Sequence, residues 1–138
     1  MSEAIAVAEK LHEGSRTAQI GFENADSPEY RVRTVRGSVI WENIIDARNG
    51  RIVGGETMVS LDELGDGDRR DIDALTHVRA ELTEAVMFAE KAVGGTAVGA
   101  TLIDEDDTPN FAVVVISGDR LKQVMLEARR VDRHRAKD

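Results

Sequence analysis

The chain has 138 residues, enough for one ordinary domain or two very small ones, and its 41% hydrophobic and 32% charged content excludes intrinsic disorder. Its net charge of −8 lacks any long basic stripe, which argues against nucleic-acid and anionic-membrane partners, because phosphate neutralisation supplies most of that affinity. The chain has no cysteine, so disulfides, zinc-thiolate centres and thiol catalysis are excluded.

Ser2-Glu3-Ala4 opens a predicted helix, with a hydroxyl to cap free N–H groups and an acid in the first turn. Ala4, Ala8 and Leu11 recur at helical spacing, and Gly14 ends the helix. A strand is expected over 16–23, a turn at Asn24-Ala25-Asp26-Ser27-Pro28, and a second strand over 30–35. Gly37 closes a tight hairpin onto a strand over 39–47, and Arg48-Asn49-Gly50 turns the chain into a fourth strand over 51–57. Residues 58–81 then read as an acidic linker, which holds half of the negative excess. Its glycine-punctuated run from Asp62 to Asp68 reads as a flexible connection, and Ile72, Leu75, Val78 and Leu82 as a short helix. No run in the chain approaches the ~20 apolar residues of a membrane span.

From Thr83 the pattern starts again. Shifted by 81 residues, positions 2–50 fall on 83–131 without a gap, and 12 of those 49 positions are identical. Chance would supply about three identities at average composition. The shared residues include Glu9/Glu90, Gly14/Gly95, Pro28/Pro109, Val32/Val113, Gly37/Gly118 and Ala47/Ala128. The predicted fold is therefore α+β: two tandem repeats, 1–57 and 82–138, each one helix on a three- to four-stranded antiparallel sheet. Three strands with one helix make a thin core, so the repeats are expected to pack as one compact body in a pseudo-two-fold arrangement. The second repeat ends in a basic tail, Arg129-Arg130-Val131-Asp132-Arg133-His134-Arg135.

Ile44-Ile45-Asp46-Ala47-Arg48-Asn49-Gly50-Arg51-Ile52-Val53 resembles the closing signature of PepSY domains, and the Glu-Ala-x-x-x-Ala helix at Glu3–Ala8 and Glu84–Ala89 is similar to the family's first element. In the second copy Asp46 becomes Glu127 and Gly50 becomes Val131, so the signature for a fourth strand is weaker there. The resemblance implies a non-catalytic, protein-binding module of the cell envelope that modulates or inhibits a peptidase. It also implies a periplasmic or secreted location. The opening Met1-Ser2-Glu3 is no signal peptide, so that location requires an export segment already removed; otherwise the chain is cytoplasmic. An alternative reading is a small-ligand or calcium-binding protein with its site between the repeats or in the acidic loops.

No catalytic or cofactor constellation is apparent. His12, His77 and His134 are dispersed and read as surface residues. Asp104, Asp106 and Asp107 form the densest carboxylate group, but they lack the spaced ligands and central glycine of a calcium loop and read first as a solvated turn. Trp41, matched by Lys122, is a candidate partner anchor against a core-packing alternative. Arg31 and Arg33 become Ala112 and Val114 in the second copy. With Ile116, these make a strand apolar on both faces, expected to be covered by the other repeat or by a second molecule in a homodimer.

Overall fold

The computed structural model describes residues 1–24 and 26–128; the basic tail and His134 lie outside the described residues. The chain runs α1 (Ser2–Leu11), β1 (Arg16–Asn24), β2 (Pro28–Arg36), β3 (Val39–Asp46) and β4 (Ile52–Ser60). A 3-10 turn (Leu61–Glu63) and α2 (Asp66–Leu75) follow, then α3 (Leu82–Val93), β5 (Thr96–Glu105), β6 (Thr108–Ser117) and β7 (Arg120–Glu127). All strands join one antiparallel sheet in the order β4-β3-β2-β1-β5-β6-β7. The expected α+β architecture is present.

The two units meet edge to edge. Ile20 pairs with Ala100, flanked by Gln19–Thr101 and Gly21–Gly99, a register centred on that pair. Joining first strands removes two exposed edges at once. The row Asn43–Val32–Ile20–Ala100–Val113–Val124 crosses six strands on the face beneath α1 and α3. Ala4, Ile5 and Ala8 of α1 and Ala85, Val86 and Ala89 of α3 are buried against this face, their small side chains allowing close approach. On the other face Val35 and Ile40 of the first unit are buried, and Asp68, Asp71 and Ile72 of α2 lie beside Gln19, Arg33 and Thr101; the rest of that face is open.

The ungapped 81-residue match is corrected in one segment. Val32 pairs with Ile20, yet Val113 pairs with Ala100, so β5 corresponds to β1 at a shift of 80. The α3–β5 connection is one residue shorter, and the β5–β6 turn is one residue longer. The helix-ending glycine with positive φ is accordingly Gly94 (φ 78), matching Gly14 (φ 85). Gly95 is required for another reason: a Cβ there would collide with the Ile116 carbonyl.

Identical pairs hold identical joints. Each first strand carries a bulge, between Thr17 and Gln19 and between Ala97 and Gly99, which diverts backbone groups from the ladder. Glu9 accepts from Thr17 N (3.1 Å) and Glu90 from Ala97 N (2.9 Å). Ala47 N donates to the Pro28 carbonyl and Ala128 N to that of Pro109, both at 2.9 Å. Positive φ at Gly37, Gly118 and Gly50 forms the expected turns.

Three local expectations are revised. Met1 and Glu81, rather than Ser2 and Thr83, are the helix N-caps, and the Glu81 N–H is met by Glu84 Oε1 at 2.8 Å. The run Asp62–Asp68 is built into the 3-10 turn and the first turn of α2, where acids suit the positive helix end. Strand β4 continues to Ser60, past the expected limit at residue 57. Arg16 anchors the connection that follows α2, donating to Glu81 (2.9 Å), to the Ala80 carbonyl (3.0 Å) and to the Leu75 carbonyl.

Candidate protein-binding surface

The open face divides along the β1–β5 seam. Strand alternation puts Arg31, Arg33 and Glu42 on the first unit's half, and Ala112, Val114, Ile116, Leu121 and Met125 on the second unit's half. In the first half the charges answer one another. Arg31 donates to Glu23 (3.1 Å) and Glu42 (2.9 Å), and Arg33 to Glu42 (3.4 Å). Those bonds hold the Arg31 guanidinium above its ordinary pKa. Gln19, Gly21, Glu23, Arg31, Arg33 and Glu42 line a shallow cavity of about 230 Å³, smaller than the ~300–1,000 Å³ of typical small-molecule sites.

In the second half the corresponding surface is apolar and uncovered. Leu121 is 67% exposed, Met125 45% and Ile116 40%. Val114 is half-buried and Ala112 is buried beneath them. Contiguous exposed apolar surface of this kind marks an interaction site more often than scattered apolar residues do. Of the residues singled out in the sequence, Ala112, Val114 and Ile116 therefore lie on one open surface. Leu121 and Met125 complete it; their signal was the open-face parity of β7, which required knowing which face the helices cover.

Trp41 lies elsewhere. It points to the helix-covered face and is 5% exposed, with His12 stacked on its ring at 3.8 Å and the Arg36 guanidinium 5.2 Å from the ring centre. Of the two readings of Trp41, core packing holds and the exposed anchor is corrected, because β3 is an interior strand flanked by β4 and the ring already has covering groups. His12 is likewise engaged: its Nε2 lies 2.6 Å from Glu56 Oε1, which also accepts from Asn43 Nδ2 at 3.2 Å. The hydrogen bond from His12 holds the Glu56 carboxyl below its ordinary pKa. The second unit has Val93 and Val124 where this one has His12 and Asn43.

The acidic group is dispersed by the fold. Asp104, the penultimate residue of β5, is buried, its N–H donating to Asp71 Oδ1 at 2.9 Å, while Asp106 and Asp107 are exposed turn residues with φ 50 and 64. Among the described residues no three carboxylate or imidazole groups are placed to hold a metal ion. No described helix is long and apolar enough to cross a membrane.

Comparison with known proteins agrees with this architecture. A candidate lipoprotein from Clostridium difficile 630 shares the fold at a TM-score of 0.50 and 13% identity, over 91% of this chain and 84% of that one. No curated protein matches the chain in sequence. The profile of the PepSY family, described as "Peptidase propeptide and YPEB domain", matches residues 1–56, the span from α1 into β4. That family is one of regulatory or binding modules of the peptidase-propeptide kind. The PepSY match thus coincides with the first unit, residues 1–56.

Proposed function

We propose that this protein is a non-catalytic, envelope-associated module that binds a peptidase and restrains it through the second unit's open sheet face. The single observation carrying this reading is the uncovered apolar surface of Val114, Ile116, Leu121 and Met125. At the positions of Ala112 and Val114 the first unit bears the self-paired Arg31 and Arg33, and its counterparts of Ile116 and Leu121, Val35 and Ile40, are buried, so only the second unit leaves apolar side chains uncovered there. Interfaces are centred on desolvated apolar groups ringed by polar ones, and here Gln123, Thr101 and the Arg31–Glu42 network border the patch. The match of the first unit to a family of propeptide modules supports a peptidase as partner and an extracytoplasmic setting.

The test is affinity capture of the full chain from an envelope extract, followed by inhibition assays on any recovered peptidase. The expected result is one peptidase retained and inhibited in stoichiometric amount, with both effects lost in folded Val114→Asp and Leu121→Asp variants. Equal retention and inhibition by the two variants would sink the assignment of this face. A chain that neither retains nor inhibits any envelope peptidase would sink the peptidase itself.

A further inference from the structure

The two units differ at their outer edges as well as on their open faces. In the first unit β3 is flanked by β4, which pairs antiparallel from Val39–Ser60 to Ile45–Ile52. Its counterpart β7 pairs with β6 from Ser117–Arg120 to Asn110–Glu127, and among the described residues it ends the sheet. The fold therefore shows, within one molecule, what a strand against this position looks like. A sheet edge left open offers unpaired N–H and C=O groups to an extended segment.

We infer that the outer edge of β7 is a strand-addition site for an extended partner segment that alternates apolar and acidic side chains. This inference rests on the protein-binding reading above and specifies the segment that the second unit accepts. Side chains along β7 alternate between the two faces. On the open face stand Leu121, Gln123 and Met125, continuous with Val114 and Ile116. On the other face stand Arg120 and Lys122, both exposed, followed by half-buried Val124 and Leu126. An added strand paired as β4 pairs with β3 would set apolar residues beside Leu121 and Met125, and its opposite-face residues beside Arg120 and Lys122. Opposite charges on neighbouring strands attract and like charges repel, so those residues are acidic.

Lysine and arginine on an edge discourage indiscriminate pairing, which makes the edge selective.

The experiment uses the full chain and two synthetic nine-residue peptides, one alternating Val with Glu and one alternating Val with Lys, followed by amide hydrogen exchange and NMR titration. The Val–Glu peptide should protect β7 amides and bind about tenfold tighter than the Val–Lys peptide, the scale expected of two cross-strand charge pairs. The preference should shrink with salt. In the Arg120→Glu/Lys122→Glu variant the preference should reverse, a readout that loss of folding cannot mimic. Equal binding of both peptides, protection confined to other strands, or loss without reversal would overturn the inference. So would β7 amides already protected in the peptide-free chain. Peptidase retention that survives the charge reversal would refute the edge site and leave the proposed function standing. Peptide reversal without any peptidase would do the opposite.

Discussion

The two units solve the same helix-on-sheet problem with different open faces, and the contrast separates what the fold needs from what it merely permits. Under the helices, Val32 and Val113 occupy equivalent, fully buried positions, and Ile5 faces the same core as Val86. On the opposite face Arg31 and Arg33 stand where the second unit has Ala112 and Val114. A position that accepts a paired guanidinium or a bare aliphatic group is not setting the fold. Its chemistry is free to serve recognition, and only the second unit leaves it apolar.

The contrast can be broken most strongly at the ends of the two helices. Gly95→Ala forces a Cβ into the Ile116 carbonyl and is expected to cost about 1–3 kcal/mol. Gly14→Ala, its counterpart in the ungapped match, meets only the Arg36 side chain at 3.7 Å and is expected to cost about 1 kcal/mol through its positive φ. Urea titration of both variants measures the gap; equal losses would refute the one-residue slip of β5.

Acid should weaken the first unit's polar joints. Hydrogen bonds from Arg48, whose Nη2 sits 3.1 Å from Asp46 Oδ2, hold the Asp46 carboxyl below its ordinary pKa, as His12 does for Glu56. A carboxyl lowered in the folded state stabilises above its unfolded pKa, and that contribution is lost as pH falls through the folded value. The urea midpoint should drop on acidification below about pH 4, and less steeply in an Asp46→Asn/Glu56→Gln variant. An unchanged slope would show that these joints do not couple to folding.

The smallest effect should come from the open face itself. Arg31→Met removes two exposed ion pairs and should change stability by no more than about 1 kcal/mol. Leu121→Asp, on the facing half, should stay within about 0.5 kcal/mol while abolishing partner binding. A large loss in either variant would show that the open face contributes to folding, against the reading of it as a recognition surface.

Much of this was legible in the sequence because it is local. Glycines at 37, 50 and 118 mark turns that need positive φ, alanines at helical spacing mark the faces that lie on the sheet, and twelve identities between the halves establish the repeat. The helix-to-bulge ties of Glu9 and Glu90 were present as an identity without a stated cause. The register of β5 was not legible, since no identity falls between Ser15/Thr96 and Ala25/Asp106 and the helix and later strands alone satisfied the ungapped match. Trp41 could not be placed, because alternation assigns a residue to one of two faces without saying which face the helices cover. The apolar run Ala112–Ile116 was visible, and its partners Leu121 and Met125 were not.

The sequence by itself determined two helix-and-hairpin units and the chemistry of each strand, since turn geometry and side-chain periodicity are properties of a few adjacent residues. Only the tertiary structure decided that β1 and β5 join the units into a single sheet, that the linker helix starts at Asp66 within the acidic run, and that β7 ends the sheet among the described residues. Those outcomes rest on backbone pairing between residues about 80 positions apart, and backbone N–H and C=O groups are the same in every residue but proline. Which strands become neighbours is settled by how much apolar surface the assembled units bury together.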